Sequence, residues 1–195
     1  MADSVADSVS DSALRPRSAL GRPFLAADAI GPVTITESTD WALASLAPRR
    51  GREAELAERA ASAGLPLPRP GQATWGQPWS AFWVGSDMWF VEAPIATHDD
   101  IVAALAPLVA DTASLTEQTD AWVRLELAGA LPPLLERLCN LDLARFAPGS
   151  ATRTVIEHVG VHAIRRAPDR LTLLGPRSSA LSLHHALLAA AGSAS

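Results

Sequence analysis

Four of the five histidines form two close pairs, and their spacing bears on whether either pair could hold a metal ion. His158 and His162 are four residues apart in a stretch predicted to be one strand, which places both side chains on one face but too far apart for easy shared ligation. His184 and His185 are adjacent in a predicted helix, where neighbouring side chains point about 100° apart. The spacing therefore favours isolated core or surface histidines over a metal site.

Asp120 and Asp142 are the candidate carboxylates for general acid–base chemistry. Both lie beside predicted turns, however, where an aspartate more often caps backbone N–H groups. All sixteen basic residues are Arg, and the absence of Lys and Tyr removes Schiff-base chemistry and a tyrosine acid or base. The sequence also has no G-x-S-x-G, G-x-G-x-x-G or H-E-x-x-H motif. The residues alone therefore predict no reaction centre.

The composition, with 48% hydrophobic and 19% charged residues, is that of an ordinary globular protein. A formal net charge of −5 gives no reason to expect nucleic acid as a partner, because phosphate binding needs clustered basic side chains. The single cysteine, Cys139, excludes an intrachain disulfide and argues against a thiolate zinc site. Because the sequence has no membrane-length apolar run and no secretory signal, we expect a cytoplasmic protein. Residues 1–22, rich in Ala, Asp and Ser near the N-terminus, are predicted to be a disordered or partner-ordered tail.

One short sequence occurs twice, about eighty residues apart, and it organises the predicted fold. Thr36–Trp41 reads Thr-Glu-Ser-Thr-Asp-Trp, and Thr116–Trp122 reads Thr-Glu-Gln-Thr-Asp-Ala-Trp. Each copy precedes an apolar run, a helical pattern, two strand patterns around a turn, and a second helical pattern. The sequence therefore predicts one α+β domain over 23–192, made of two strand–helix–hairpin–helix repeats at about 33–110 and 115–191. We expect the repeats to be related by a pseudo-twofold axis and to build shared sheets, with helices on the outer faces.

Individual elements follow from apolar spacing and from the positions of Gly, Pro and capping residues. Thr97 with Asp100 is typical of a capping box, and Pro107 is expected to bend or end the helix that follows. In chain order the predicted elements are extended structure over Val33–Ala47 broken at 38–40, a helix over Gly51–Gly64, a hairpin of Ala81–Val84 and Met88–Ala93, a helix over Asp99–Ala110, a strand over Thr116–Leu127, a Leu-rich helix begun by Pro132 and Pro133, strands over Thr152–Ile164 and Arg170–Leu174, and a helix over Ala180–Ala191.

Four of the six tryptophans are concentrated before and within the first hairpin. Trp83 and Trp89 lie on the predicted hairpin strands, and we expect them to fill the core. The other two lie in the preceding Pro/Gly-rich loop, and tryptophan is enriched at interface anchors. The second hairpin carries a local concentration of arginine. The candidate subunit-interface residues are Trp75, Trp79, Arg165 and Arg166.

The second repeat carries a series of short signatures in a fixed order. They are Thr116–Trp122, Leu127–Gly129, Leu134–Leu138, Leu141–Leu143, Phe146–Gly149, Thr152–Thr154, His158–Val159 and Leu174–Ser178. In order and spacing they resemble the gamma subunit of heterotetrameric sarcosine oxidase, and the resemblance extends from about Pro23 to Ala191. The repeated unit is also similar to the folate-binding domain of the glycine-cleavage aminomethyltransferase.

The resemblance implies a subunit of a complex that oxidatively demethylates sarcosine to glycine, forming hydrogen peroxide and 5,10-methylenetetrahydrofolate. It implies that FAD, FMN, NAD and the tetrahydrofolate site belong to the alpha and beta subunits, and that zinc belongs to the delta subunit. The chain would pack mainly against alpha, would bind none of these groups itself, and would have no catalytic residue. The long N-terminus is not explained by the resemblance.

Two alternatives remain open at this point. The chain could be a module that itself holds folate between the two repeats, with Arg153 or Arg177 on the glutamate tail. It could also be a small one-carbon transferase that uses Asp120 or Asp142.

Overall fold

The computed structural model of the chain describes residues 17–22 and 26–193, in which eleven β-strands and four α-helices are found. The strands are β1 Ala27–Ile30, β2 Val33–Glu37, β3 Trp41–Pro48, β4 Ala73–Thr74, β5 Ser80–Gly85, β6 Met88–Pro94, β7 Ala113–Glu117, β8 Trp122–Gly129, β9 Ala151–Ile156, β10 Val159–Ala167 and β11 Arg170–Pro176. The helices are α1 Glu53–Ser62, α2 Ile101–Val109, α3 Leu131–Leu138 and α4 Ala180–Ser193. The predicted mixture of strands and helices is confirmed. Of the predicted tail, residues 1–16 lie outside the described part of the chain.

The strands form two antiparallel sheets that pack face to face. Sheet A has the order β1-β2-β8-β11-β10-β9, and sheet B has the order β4-β5-β6-β3-β7. Helices α3 and α4 bury an apolar core against the outer face of sheet A, and α1 and α2 do the same on sheet B. A smaller core lies between the sheets and includes Phe82 and Phe90 from sheet B and Ile164 from sheet A. The helices are therefore on the outer faces, as predicted.

Alternation along the strands decides which side chains enter the layer between the sheets. On β8, Val123, Leu125 and Leu127 belong to the core under α3 and α4. The residues between them point the opposite way, and Arg124 reaches Glu92 of sheet B. The same alternation on both sheets produces a central layer that is separate from the two helix-covered cores.

The repeated sequence marks the places where the chain crosses from one sheet to the other. Strand β2 precedes β3 in sequence but pairs with β8, and β7 precedes β8 but pairs with β3. Glu37 lies opposite Leu125, and Glu117 lies opposite Ala44, so each Glu pairs with the residue three places after the other copy's Trp. The predicted single strand over Thr116–Leu127 is therefore wrong. A short 3-10 turn at 119–121 interrupts it, as the break at 38–40 interrupts the first copy.

The same backbone pairing recurs in the rest of the two sheets. Trp41 pairs with Pro94 in sheet B, and Trp122 pairs with Pro176 in sheet A. The β5–β6 and β10–β11 hairpins each carry one register shift close to the turn. That the two repeats superpose about a pseudo-twofold axis stays a prediction, which a rigid-body superposition of 33–110 on 115–191 tests.

The predicted strand over Thr152–Ile164 is also wrong, because it is the hairpin of β9 and β10. Glu157 and His158 form the turn with φ values of 45° and 68°, left-handed backbone that extended strands do not contain. His158 is therefore an exposed turn residue, whereas His162 is buried on β10. The two histidines do not share a strand face, so the geometric reason first given against joint ligation was mistaken.

The start of α2 differs from the predicted capping box. Asp100 itself caps the helix, because its Oδ1 accepts from the Ala103 N–H at 2.9 Å. The Thr97 hydroxyl instead donates to the Pro94 carbonyl at 3.3 Å. The helix ends at Val109, two residues after Pro107, as expected. Strand β1 was not predicted, since four residues with exposed alternate positions carry little apolar signal.

Candidate functional site

The two copies of the repeated sequence line one cleft of about 240 Å³ at an end of the layer between the sheets. They meet there because the chain crosses from sheet A to sheet B after β2 and from sheet B to sheet A after β7, and the residues of both crossings lie at the same end of the layer. The first copy contributes Glu37, Ser38, Thr39 and Trp41, and the second contributes Thr119, Asp120 and Trp122.

The aromatic walls of the cleft are held by contacts on their far sides. The Trp122 indole donates to Gln118 Oε1 at 3.2 Å and packs edge-on against Phe90 and His162 at centroid distances of 5.5 and 5.2 Å. The Arg124 guanidinium lies over the Trp41 ring, 4.9 Å from its centroid. The cleft therefore presents flat apolar surfaces whose orientation is fixed by the protein.

Charged groups lie at the mouth of the cleft. Arg177 is 3.6 Å from the carboxylate of Asp120, which is 93% exposed. Glu37, which also lines the cleft, accepts the backbone N–H groups of Ala19 and Leu20 at 2.7 and 3.2 Å. The Thr119 hydroxyl is already engaged by the protein, because it accepts from the Leu43 N–H at 2.9 Å.

A closed ring of hydrogen bonds lies in the central layer and joins the two sheets. Glu92 of sheet B accepts from Arg124 at 2.5 Å and from Arg166 at 2.7 and 3.0 Å, both on sheet A. Arg124 also donates to Glu126 at 2.6 Å, and Thr172 connects Glu126 to Arg166 with two bonds of 2.8 Å. Two carboxylates and two guanidiniums balance each other, so this central ring carries no net charge.

The ring fixes the ionisation of its members. Burial alone would raise the pKa of Glu92, but the charges of Arg124 and Arg166 and their hydrogen bonds outweigh it and lower that pKa to about 2. Burial would likewise lower the pKa of Arg124, and Glu92 and Glu126 reverse this and raise it. Glu92 therefore stays a carboxylate at any ordinary pH and is unsuited to proton transfer.

His162 borders the same layer and is kept neutral. It is 7% exposed, and its Nδ1 is buried without a hydrogen-bond partner in the described part of the chain. Burial, helped by the charge of Arg153, lowers its pKa to about 4. An imidazole with such a pKa is uncharged at neutral pH.

The four candidate interface residues differ in how much surface they offer. Trp75 is 41% exposed, and its indole ring stacks on the Arg166 guanidinium, 4.2 Å from the ring centroid. Arg166 itself offers little surface, because its guanidinium is bonded to Glu92 and Thr172 within the central ring. Trp79 is 6% exposed and belongs to the core under α1 and α2, because its loop folds back onto that core. Arg165 is 8% exposed and donates to the Ala167 and Pro168 carbonyls of its own turn. The interface stays a prediction, and Trp75 is the member with substantial free area.

Other candidate residues are dispersed. Asp142 lies after α3, where it accepts from the Ala144 N–H at 3.1 Å and pairs with Arg145 at 3.5 Å. It is therefore a local cap, as the sequence suggested, whereas Asp120 lies at the cleft. Arg153 lies over Gly160 on sheet A, and Cys139 is half-buried after α3 with burial raising its thiol pKa. Among the described residues no group of three His, Cys, Asp or Glu side chains is placed to hold a metal.

Sequence reasoning missed the ring, although two signals for it were present. Glu92 is the acidic residue in the apolar strand of β6, and Arg124 and Glu126 alternate with apolar residues along β8. Charges inside otherwise apolar strands indicate buried partners. The sequence of one strand does not indicate, however, which sheet supplies the partners of its buried charges.

The arrangement defines a fold class: two antiparallel sheets face to face, two helices outside each, and a cleft where the chain crosses between the sheets. No protein-family model matches the sequence, and no curated protein matches it. None of the helices in 17–22 and 26–193 combines the length and apolar character needed to cross a bilayer.

Solved structures share this fold. A chain of the heterotetrameric sarcosine oxidase from Corynebacterium sp. U-96, determined in complex with pyrrole 2-carboxylate, matches with a TM-score of 0.71 and 21% identity over 83% of this chain and 84% of that chain. The glycine cleavage system aminomethyltransferase T from Bartonella henselae matches with a TM-score of 0.54 and 12% identity, over 78% of this chain but 44% of that one. The predicted likeness to both proteins is confirmed as a likeness of fold.

Proposed function

We propose that the chain is a non-catalytic subunit, of gamma type, in a heterotetrameric sarcosine oxidase complex. The observation that carries the proposal is the extent of the match: the fold corresponds over most of both chains in the oxidase, but over less than half of the aminomethyltransferase. The complex would demethylate sarcosine to glycine and produce hydrogen peroxide and 5,10-methylenetetrahydrofolate. The duplicated scaffold would serve as an assembly element.

The chemistry of the central layer supports a structural role. The buried acidic and basic groups are paired with one another in a ring without net charge, and Glu92 has a pKa of about 2. Groups held in this way position two sheets and are poor acids or bases. FAD, FMN, NAD, zinc and the tetrahydrofolate site would belong to the alpha, beta and delta subunits.

The surface around Trp75 is the best-supported place for a partner. Trp75 is exposed on one side and rests on Arg166 on the other, so its ring is fixed before any partner binds. Pro78 and Pro94 are exposed nearby, beside a shallow depression that Trp41 also lines. A rigid aromatic anchor of this kind is typical of interface hot spots.

Co-expression tests the proposal directly. The tagged chain is produced together with alpha, beta and delta subunits, and we expect co-purification of all four with sarcosine-dependent peroxide formation. Trp75→Ala should reduce recovery of the partners, whereas Leu181→Ala, at a 57% exposed position on α4, should leave it unchanged. A chain that purifies alone and leaves the activity of the other three intact would contradict the proposal.

The cleft favours a second candidate, a folate-binding module. Its walls include Trp41 and Trp122, and Arg177 at its mouth could bind a glutamate carboxylate. Arg153, the other arginine considered, lies on β9 over Gly160. Titration with tetrahydrofolate should then quench tryptophan fluorescence, and Arg177→Gln should weaken the quenching. Turnover by the isolated chain that is lost in Asp120→Asn would instead indicate a transferase.

A further inference from the structure

The segment Arg17–Arg22, here called the strap, forms one wall of the cleft, and it is held there by polar groups of the folded body. Glu37 accepts two consecutive strap N–H groups, those of Ala19 and Leu20, at 2.7 and 3.2 Å. Arg177 donates to the Arg17 carbonyl at 2.9 Å. Arg17, Ser18 and Ala19 face the cleft directly.

The far end of the strap is fixed separately. The Arg22 guanidinium contacts Asp28 at 2.6 Å, and the same Asp28 oxygen lies 2.8 Å from Nε2 of the buried His184 on α4. The hydrogen bonds of these two residues outweigh the opposing effect of burial and lower the pKa of Asp28, so the anion persists at neutral pH. This contact ties the strap to β1 and α4 without using any cleft residue.

Between these anchors the strap has its own turn. The Gly21 N–H donates to the Ser18 carbonyl at 3.0 Å, the Arg22 N–H donates to the Ser18 hydroxyl at 3.2 Å, and Gly21 has a φ of 67°. The turn presents the N–H groups of Ala19 and Leu20 side by side to one carboxylate. Leu20 is partly buried against the core under α3 and α4.

Where the strap meets Glu37 and Arg177, the contacts are made to its backbone rather than to its side chains. A carboxylate that accepts two successive N–H groups, with a guanidinium that donates to a preceding carbonyl, reads the polarity of a peptide segment. At the cleft end, the strap supplies N–H and C=O groups and the body supplies the charges. Removing the strap would leave Glu37 and Arg177 facing the cleft without these partners.

We propose that Glu37 and Arg177 at the mouth of the cleft form a peptide-backbone-binding site, that the strap occupies this site in cis, and that departure of the strap opens the cleft more widely. This inference does not depend on the proposed function, because it concerns contacts within one chain. Tethering gives the strap a high effective concentration, so it outcompetes free peptides of the same sequence.

Thiol labelling measures access to the cleft. Ser38 lines the cleft and is partly buried, so Ser38→Cys is treated with iodoacetamide in the full-length chain, and peptide-level mass spectrometry separates its modification from that of Cys139. Ala19→Pro removes one N–H that Glu37 accepts, and Ala19→Ser keeps it. We expect labelling at position 38 to be roughly tenfold faster with Ala19→Pro than with Ala19→Ser, as for a local opening. A thiol at the exposed Ser114 on β7, Ser114→Cys, should react equally in both backgrounds.

A second release variant and a peptide added in trans complete the test. Arg22→Gln loosens the far anchor without touching the cleft, and it should also speed labelling at position 38. A capped peptide of residues 17–22, added at millimolar concentration to the Ala19→Pro chain, should restore slow labelling, and the same peptide N-methylated at Ala19 should not. Equal labelling in all backgrounds, or equal protection by both peptides, would overturn the inference.

Discussion

The two sheets pair their strands in the same register, but the side chains that they place in the central layer differ in chemical character. When the sheets are aligned through the Trp41–Pro94 and Trp122–Pro176 pairs, four apolar positions in one sheet correspond to charged or polar positions in the other, and one serine corresponds to a glutamate. The aligned pairs, sheet B first, are Leu43 with Arg124, Ser45 with Glu126, Val84 with Arg166, Phe90 with Thr172 and Glu92 with Leu174. Backbone pairing is shared, and the filling of the centre is not.

Because of this difference, the two faces of the central layer carry complementary charges, with the buried carboxylate on sheet B and the two guanidiniums on sheet A. Glu92 replaces the apolar residue found at its aligned position, and it does so opposite the two sheet A arginines that replace apolar residues at theirs. A layer filled only with apolar side chains tolerates sliding of one sheet on the other better than a ring with fixed donors and acceptors does. We infer that the ring specifies how the sheets meet more than it adds to stability.

The largest expected effect comes from giving sheet B the residue that sheet A has, with Glu92→Leu. Arg124 and Arg166 would remain buried with Glu126 as their carboxylate in the ring, and removing one partner of a buried ion pair costs about 3–5 kcal/mol. Urea unfolding followed by tryptophan fluorescence measures the loss. Glu55→Ala removes a carboxylate from ion pairs on the exposed face of α1, and its unfolding midpoint should stay close to that of the parent.

Completing the replacement distinguishes specificity from stability. A variant with Glu92→Leu, Arg124→Leu, Glu126→Ser and Arg166→Val gives the layer the aligned partner's residue at each of these positions. Because no charge of the ring is left uncompensated, it should recover most of the free energy of unfolding lost in Glu92→Leu. If it stays as unstable as the single variant, packing rather than charge explains the loss.

Much of the fold could be read from local patterns. Apolar spacing with Gly and Pro boundaries placed α1, the β5–β6 hairpin and the helix that Pro132 and Pro133 begin. The errors came where backbone geometry overrides pattern. Thr116–Leu127 was predicted as one strand because the three residues of the 3-10 turn, which are polar or small, carry no clear turn signal. The turn at Glu157 and His158 was missed because neither residue with positive φ is a glycine.

The site was less predictable, because it depends on long-range pairing. The repeated sequence is evident in the chain, but nothing within either copy indicates that β2 pairs with β8, which follows the second copy, or that β7 pairs with β3, which follows the first. The cleft and the ring both follow from that exchange. Trp79 was predicted as an interface residue from its place in a Pro/Gly-rich loop, and Arg165 from the concentration of arginine at the second hairpin. The structure places both largely in the interior.

A smaller effect on the free energy of unfolding is expected from pH, because the pKa of His162 is lowered in the folded chain. In sheet B the aligned position carries Ser80, which has no group that ionises in this range. The unfolded chain takes up a proton on this residue below about pH 6.5, whereas the folded chain resists it down to a pKa of about 4. His162 therefore contributes stability that is present above about pH 6.5 and is lost as the pH falls toward 4, up to about 3 kcal/mol over the window. Urea unfolding at pH 7.5 and 4.5 should show a smaller difference for His162→Asn, while the exposed His185→Asn should behave like the parent.

The ends of the long strands give the next comparison, since β8 ends at Gly129 where β3 ends at Pro48. Gly129 has a φ of 114°, and a Cβ there would lie 1.9 Å from the Pro32 carbonyl oxygen. Gly129→Ala should destabilise the chain by at least about 1–3 kcal/mol, from backbone strain before the clash is counted. Gly192→Ala, at a helical position with open space, should raise the free energy of unfolding by about 0.5–1 kcal/mol. Thermal unfolding of the two variants decides whether local conformation causes the loss.

The smallest effects on stability are expected at Trp75 and at Arg153, which occupies the aligned position in sheet A. Trp75→Ala removes a partly exposed cation–π contact with Arg166, worth about 0.5–1 kcal/mol, and Arg153→Ala should cost even less. If Trp75 is an interface anchor, its loss should weaken binding of the partner subunits far more than it lowers the unfolding midpoint, because hot-spot aromatics contribute mainly on association. Pull-down yield and urea midpoint, measured on both variants, separate these outcomes. Parallel small losses in both quantities would make Trp75 a cover for the ring and would move the search for the partner surface elsewhere.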